Sequence, residues 1–96
     1  MEFLVSYDIN TETKEGERRL RRVAKVCEGY GQRVQKSVFE CLLNRALLES
    51  LIADLHQVIE PAEDSVRIYR LREPRDAYLW VLGRGLEHDL HDPLIV

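Results

Sequence analysis

The sequence predicts an α+β fold, a ferredoxin-like domain with the order βαββαβ and one additional C-terminal strand. Three features lead to this prediction. Segments with the two-residue alternation of strands are separated by two segments with helical periodicity. The chain of 96 residues has the length of one domain, and its hydrophobic content of 45% is that of a globular protein. We expect residues 1–96 to form a single domain, with a variable tail from about residue 85 to residue 96.

The first predicted strand covers residues 2–9 and leads to a carboxylate, Asp8, at its carboxyl end. Its side chains alternate between two faces, with Phe3, Val5 and Tyr7 on one and Leu4 and Ser6 on the other. Both faces are therefore expected to be at least partly buried.

The next segment, residues 15–30, predicts an amphipathic helix. A polar loop of Asn10, Thr11 and Thr13 precedes it and can cap it. The apolar positions of this helix are Leu20, Val23, Ala24, Cys27 and Tyr30. A basic stripe repeats the same spacing two residues earlier, about 200° around the axis. It consists of Arg18, Arg21, Arg22 and Lys25. We expect the basic stripe to face away from the core.

Residues 32–43 are strand-like and predict a bent strand or a tight hairpin near Lys36 and Ser37. Asn44 can cap a second helix over residues 45–59. The apolar stripe of that helix consists of Leu48, Leu51, Ile52, Leu55 and Ile59.

Two further strands are predicted, at residues 66–71 and 77–82. In a ferredoxin-like fold both helices pack on one face of the sheet, so Leu4 and its neighbours on the other face need a cover. The additional strand and a second subunit are the simplest cover, which predicts a twofold homodimer. The additional strand can pair with its own sheet or swap to the other subunit, and its composition does not decide between them.

Several classes of protein are excluded by the composition. The N-terminal apolar run is too short for a signal peptide, and no stretch has the roughly 20 apolar residues that span a bilayer, so we expect a cytoplasmic protein without membrane contact. Cys27 and Cys41 lack CxxC spacing and are expected to be buried, reduced thiols.

The charge is unevenly distributed along the chain. The net charge of −3 argues against binding nucleic acid through overall charge. However, residues 1–45 have nine Lys and Arg against seven Asp and Glu, whereas residues 46–96 have five against ten. Positive charge is therefore concentrated in the first half.

Two blocks of sequence resemble a known family. LVSYDI, followed by a basic helix, and GYGQRVQKSVFE are similar to the small universal CRISPR-associated adaptation nucleases, the non-integrase members of the adaptation pair. The resemblance extends over the whole predicted element order. It implies a ferredoxin-like homodimer, Mg²⁺-dependent phosphodiesterase activity on RNA or DNA, and assembly with the CRISPR-associated integrase to capture spacer DNA. Family members differ in what they cut, so the enzymatic activity itself is left open.

Asp8 matches the aspartate to which this family's metal binding is assigned. Mg²⁺ is octahedral and takes one or two carboxylates besides water and phosphate oxygens, so one aspartate is a poor site alone. A twofold axis that brings two copies of Asp8 together would supply two carboxylates. Alternatively, Asp8 only caps the following loop. Tyr7 matches the family's strand-end tyrosine and either orients a phosphate or water catalytically, or packs in the core.

The candidate nucleic-acid contacts lie mainly on the first helix and are Arg18, Arg19, Arg21, Arg22 and Lys25, with Arg22 best aligned to the family's helix arginine. The alternative is a solvated face, partly neutralised by nearby glutamates. In the second block, Arg33 is expected to steady a phosphate. The resemblance also places Ser37 and Phe39 near the active centre and the dimer seam, where they are expected to give support. Ordinary strand packing is the alternative, particularly for Phe39.

The histidines give little indication of a site. His88 and His91 alternate with Asp89 and Asp92 at a spacing that superficially suggests a metal site, but an acidic tail is the simpler interpretation. His56 lies on the polar side of the second helix and is given no chemical role.

Three functional hypotheses follow. The first is a metal-dependent endonuclease that acts on single-stranded RNA or duplex DNA through paired Asp8 residues. The second is a non-catalytic adaptor that spans a DNA duplex and contacts the integrase through its acidic C-terminal half. The third is a related toxin-type ribonuclease or an RNA-binding ferredoxin-like module. A module of the latter kind displays aromatic side chains on its sheet for stacking, whereas Phe3, Tyr7 and Phe39 are expected to pack.

Overall fold

A four-stranded antiparallel sheet with two helices forms the domain, as the computed structural model shows for residues 1–84. The elements are, in chain order, β1 (Glu2–Asp8), α1 (Lys14–Glu28), β2 (Gly31–Gln35), β3 (Val38–Leu42), α2 (Arg45–Val58) and β4 (Ser65–Arg70). The order of strands in the sheet is β2-β3-β1-β4. This is the predicted ferredoxin-like arrangement, with β1 between β3 and β4.

The second helix begins at the predicted cap, Asn44, and the first begins at Thr13, one of the residues of the predicted polar loop. The Thr13 side chain accepts a hydrogen bond from the Gly16 backbone N–H at 3.0 Å, and Asn44 accepts one from Leu47 at 2.8 Å. Gly16 also lies against the loop after β1, because a Cβ atom at this position would be 1.9 Å from the Asn10 carbonyl oxygen. The first turn of α1 is therefore fixed against the end of β1.

The core lies between the sheet and the helices. Phe39, Val5, Val23, Cys27 and Leu51 are among its most buried side chains, and the two predicted thiols, Cys27 and Cys41, are buried and free. Burial raises the pKa of Cys27 to about 12 and that of Cys41 to about 11. Both thiols are therefore protonated at neutral pH.

The helical stripes are buried less evenly than periodicity predicts. Leu20 of α1 is 36% exposed and Ile52 of α2 is 38% exposed, although both belong to the predicted apolar faces. Leu20 is the first residue of its stripe along the helix axis, and Ile52 lies at one side of its stripe. By contrast, all four residues of the basic stripe are exposed, which confirms their predicted direction: Arg18, Arg21, Arg22 and Lys25.

Within residues 1–84, no α-helix covers the second face of the sheet, called the helix-free face below, and the segment after β4 crosses it. Arg75 in this segment is buried, and its guanidinium lies 3.3 Å from the Glu2 carboxylate and 2.9 Å from that of Glu40. The Arg75 backbone N–H also donates to Glu2 at 3.3 Å. This cluster joins β1, β3 and the C-terminal segment.

The strand predicted at residues 77–82 is not formed in the single chain. Residues Arg75–Tyr78 form a short 3₁₀ turn instead, and no fifth strand joins the sheet within residues 1–84. The reason is that Arg75 directs the chain over the face of the sheet rather than along the edge of β4. Tyr78, Trp80 and Leu82, which gave the strand-like pattern, are exposed here. The predicted histidine and aspartate alternation of the tail lies outside the described residues.

No helix within residues 1–84 is long and apolar enough to cross a membrane.

Replacing Arg75 with Ala is expected to lower the unfolding free energy by about 3 kcal/mol, because the buried Glu2 carboxylate and the partly buried Glu40 carboxylate lose their cation. Urea unfolding at one protein concentration measures this change. The matched control is Arg70→Ala, since Arg70 pairs with Glu73 only at 4.0 Å on the surface, and a loss of at most about 1 kcal/mol is expected there. Equal losses in the two variants would contradict the role given to Arg75.

Candidate functional site

Asp8 is the last residue of β1 and has an exposed side chain. Along β1 the side chains of Phe3, Val5 and Tyr7 enter the core, so by strand alternation Asp8 lies on the opposite, helix-free face. Its register partner is Ser65, the first residue of β4. The structure thus presents this carboxylate at the end of a central strand.

Tyr7 is buried immediately before Asp8. Its hydroxyl donates to the Lys36 carbonyl oxygen at 3.2 Å, and its backbone N–H donates to the Ser37 carbonyl at 3.1 Å. Its ring stacks on Phe39, with 6.2 Å between the ring centroids. These contacts favour the packing role for Tyr7 over direct contact with a phosphate, and they tie β1 to the turn between β2 and β3.

Arg33 and Phe39, which the sequence placed in the same block, are in contact. They are register partners in the β2–β3 hairpin, and the Arg33 guanidinium lies 5.1 Å from the centroid of the Phe39 ring. Phe39 is fully buried, so it packs in the core. Arg33 is exposed and retains access to solvent around its ring contact.

A buried carboxylate, Asp64, lies next to the strand end that bears Asp8. Asp64 immediately precedes Ser65 and accepts hydrogen bonds from the backbone N–H groups of Asn10 at 3.0 Å and Glu60 at 2.8 Å. Arg19 pairs with it at 2.8 Å. Burial by itself raises the pKa of Asp64. The hydrogen bonds from Arg19, Glu60 and Asn10 together lower it by more, so the pKa of Asp64 is below its usual value.

The basic stripe of α1 forms a shallow groove on the outer surface of the helix. Arg18, Arg21, Arg22 and Lys25 line this groove. Spacings of three and four residues place their side chains next to one another on one helical face. Such closely spaced cations suit the phosphates of a nucleic-acid backbone. Arg19 is turned away from this group toward Asp64.

The described part of the chain, residues 1–84, contains no cluster of side chains that would hold a metal ion by itself. Within residues 1–84, no group of three or more His, Cys, Asp or Glu side chains could hold a metal ion. The exposed Asp8 carboxylate is nevertheless the hard oxygen donor that Mg²⁺ prefers, and Mg²⁺ commonly completes its shell with water and substrate phosphates. Asp8 therefore fits as one ligand of such an ion.

Comparison with known proteins identifies the family. The family model for CRISPR associated protein Cas2 matches residues 1–77. This chain belongs to the Cas2 family. It is 51% identical over 96 residues to a CRISPR-associated endoribonuclease Cas2 of Moorella thermoacetica, a match that covers 100% of both chains. It is 46% identical over 92 residues to a CRISPR-associated endonuclease Cas2 of Halalkalibacterium halodurans, covering 96% of each.

A solved Cas2 structure has the same fold. The crystal structure of Streptococcus pyogenes Cas2 at pH 6.5 superposes with a TM-score of 0.78 at 47% sequence identity. The match covers 86% of this chain and 100% of that chain. The family and the fold that the two sequence blocks predicted are thus confirmed.

The structure places most of the predicted site residues of this Cas2 chain in two regions. Tyr7, Asp8 and Ser37 lie around the end of β1, where the β2–β3 turn meets it. The basic stripe lies on α1, and Arg33 lies apart from it on β2. Sequence analysis missed Asp64 and Arg75. Asp64 is 45 residues from its partner Arg19 in the sequence, and Arg75 is 73 residues from its partner Glu2. Because these separations are so long, no local sequence pattern could indicate either ion pair.

Replacing Tyr7 with Phe is expected to preserve the Cas2 fold and the function of Asp8. Only the hydroxyl bond to the Lys36 carbonyl is removed, which lowers stability by about 1 kcal/mol. Thermal unfolding measures the stability, and nuclease assays in parallel measure function. Loss of cleavage at unchanged stability would instead assign the Tyr7 hydroxyl to the reaction.

Proposed function

We propose that this Cas2-family chain is a CRISPR adaptation nuclease that hydrolyses phosphodiester bonds in RNA or DNA as a homodimer, with Asp8 as its metal ligand. The observation that carries the proposal is the exposed Asp8 carboxylate at the end of a central, otherwise well-anchored strand. The names of the relatives, an endoribonuclease and an endonuclease, support hydrolysis of nucleic acid.

The helix-free face of the sheet supports the homodimer. Leu42 and Tyr69 on this face are 45% and 47% exposed, and Arg75 covers only part of it. A second copy stacked on this face would bury these apolar side chains. Because Asp8 lies on the same face, twofold symmetry would bring two Asp8 carboxylates to one interface. Ser37 and Phe39 would support this arrangement, because the Ser37 carbonyl accepts from the Tyr7 backbone N–H and the Phe39 ring stacks on that of Tyr7.

The chemistry proposed for the dimer divides between Asp8 and the cations. When bound, Mg²⁺ supplies the charge that activates water and neutralises a phosphodiester. The paired Asp8 carboxylates would hold the ion. The exposed Arg33 guanidinium lies over the Phe39 ring, away from Asp8, and would steady a phosphate of the substrate at a distance from the ion. The Tyr7 ring contributes by fixing the strand end rather than by touching the reacting atoms.

The groove of α1 supports binding of a nucleic-acid backbone. Its four cations lie on one outward helical face, while the acidic residues of the second half lie elsewhere in the chain. Contacts to phosphates carry no sequence information, so we infer binding that depends on backbone geometry and charge rather than on base sequence.

An adaptor role within the CRISPR-associated integrase complex is the second candidate. It is favoured by the excess of five acidic residues in residues 46–96, which suits a protein partner better than phosphates. The same dimer could serve both functions. Spacer acquisition that survives the loss of the Asp8 carboxylate would assign the chain to the adaptor role.

Replacing Asp8 with Asn is expected to abolish Mg²⁺-dependent cleavage while the dimer stays folded, because the amide lacks the charge that holds the ion. Cleavage of single-stranded RNA and duplex DNA is measured with and without Mg²⁺, and sedimentation measures the dimer. The matched control is Asp54→Asn, which removes another exposed aspartate but keeps an acceptor oxygen for the Tyr30 hydroxyl. Full activity of the Asp8 variant would reject the metal role.

Replacing Arg21 and Arg22 with Ala is expected to weaken nucleic-acid binding uniformly across sequences. If both contact phosphates, the slope of log affinity against log salt concentration becomes shallower by about 0.7 to 0.9 for each contact. Fluorescence anisotropy of a labelled duplex at several salt concentrations measures the slope. Arg45→Ala, an exposed arginine on α2, is the control and should leave the slope unchanged. An unchanged slope in the double variant would show that the stripe is only solvated.

A further inference from the structure

Asp64 joins three parts of the chain at one buried carboxylate. Its side chain has 0% exposure, and its oxygens accept from the N–H groups of Asn10 and Glu60. Arg19 of α1 donates twice, through Nε at 2.8 Å and through Nη2 at 3.4 Å. The loop after β1, the helix α1 and the turn before β4 therefore meet at this carboxylate.

This junction lies directly beside Asp8. Asp8 pairs with Ser65 in the sheet, and Asp64 is the residue before Ser65. On the other side, the Asn10 backbone, two residues after Asp8, is bound to Asp64. Asp8 thus projects from a short stretch of backbone that is held by Tyr7 before it and by Asn10 after it.

We propose that Arg19 and Asp64 are positioning residues for Asp8, fixing the end of β1 so that its carboxylate points to one place. The inference depends on the proposed function in one respect, which is that Asp8 is taken to be a metal ligand. The ion pair is what makes the position stable, since a buried carboxylate is costly unless a cation and hydrogen bonds satisfy it.

Arg19 is less exposed to solvent than the other arginines of α1. Its side chain is 15% exposed and two of its nitrogens already donate to Asp64. Arg18, Arg21 and Arg22 are exposed on the outer groove. A phosphate backbone at the groove would therefore meet those three, while Arg19 acts on the site through the loop after β1.

Two variants of Arg19 test the proposal. Arg19→Ala removes the cation, and Arg19→Lys keeps the charge but loses the two-pronged geometry. Arg45→Ala is the matched control, because Arg45 pairs with Glu49 on the exposed surface of α2 at 3.5 Å. All three proteins are studied as the full chain at equal concentration.

The first readout is amide hydrogen exchange at Asn10, normalised to exchange at Val5 in the centre of the same strand. We expect at least tenfold faster relative exchange in Arg19→Ala, an intermediate value in Arg19→Lys and no change in the control. The second readout is the affinity for Mn²⁺, measured by electron paramagnetic resonance. It should fall about tenfold in Arg19→Ala, as for other groups that orient a metal ligand from outside its shell.

Unchanged relative exchange at Asn10 in Arg19→Ala would overturn the proposal. A rise of the same size at Asn10 and Val5 would overturn it too, because that reports a loss of overall stability. The Asp8→Asn variant separates this failure from that of the proposed function. If Asp8→Asn binds Mn²⁺ as tightly as the unmodified chain, the metal role of Asp8 fails, and the exchange ratio at Asn10 still decides whether Arg19 and Asp64 fix the strand end.

Discussion

Within residues 1–84, the two α-helices pack on the same face of the four-stranded sheet, and the rest of the structure follows from this constraint. Successive residues of β1 enter opposite faces, so the burial of Val5 and Tyr7 against the helices places Asp8 on the other side. A shift of one residue in register would exchange the two sets and bury the carboxylate. The position of the candidate metal ligand is thus set by core packing.

The element order and the core were predictable because their signals are local. The stripe that contains Val23 and Cys27, the cap at Asn44 and the alternation along β1 each lie within a few residues of sequence. The prediction of an additional strand at residues 77–82 was wrong for the single chain. Alternation of side chains shows which residues suit a strand, but not whether a partner strand is available. A strand also needs a neighbouring backbone, and Arg75 directs the segment elsewhere.

The candidate site was predictable only in its exposed members. Asp8 and the cations of α1 were found from sequence blocks and periodicity, and the structure places them on open surfaces. Arg19 was grouped with those cations because it is their neighbour in the chain. Its partner Asp64 is 45 residues away, and only the folded chain brings the two together. Periodicity distinguishes the inward face of a helix from its outward face. It does not identify the partner of a charged residue such as Arg19, which lies between the two faces.

The buried thiols have a practical consequence for labelling. Reaction with maleimide or iodoacetamide requires an accessible thiolate, and Cys27 and Cys41 are both enclosed in the core. A third cysteine introduced on the surface would therefore be the preferred target of a fluorophore or spin label in the folded protein. Movements of the chain could then be followed by spectroscopy without first removing the native sulfur atoms.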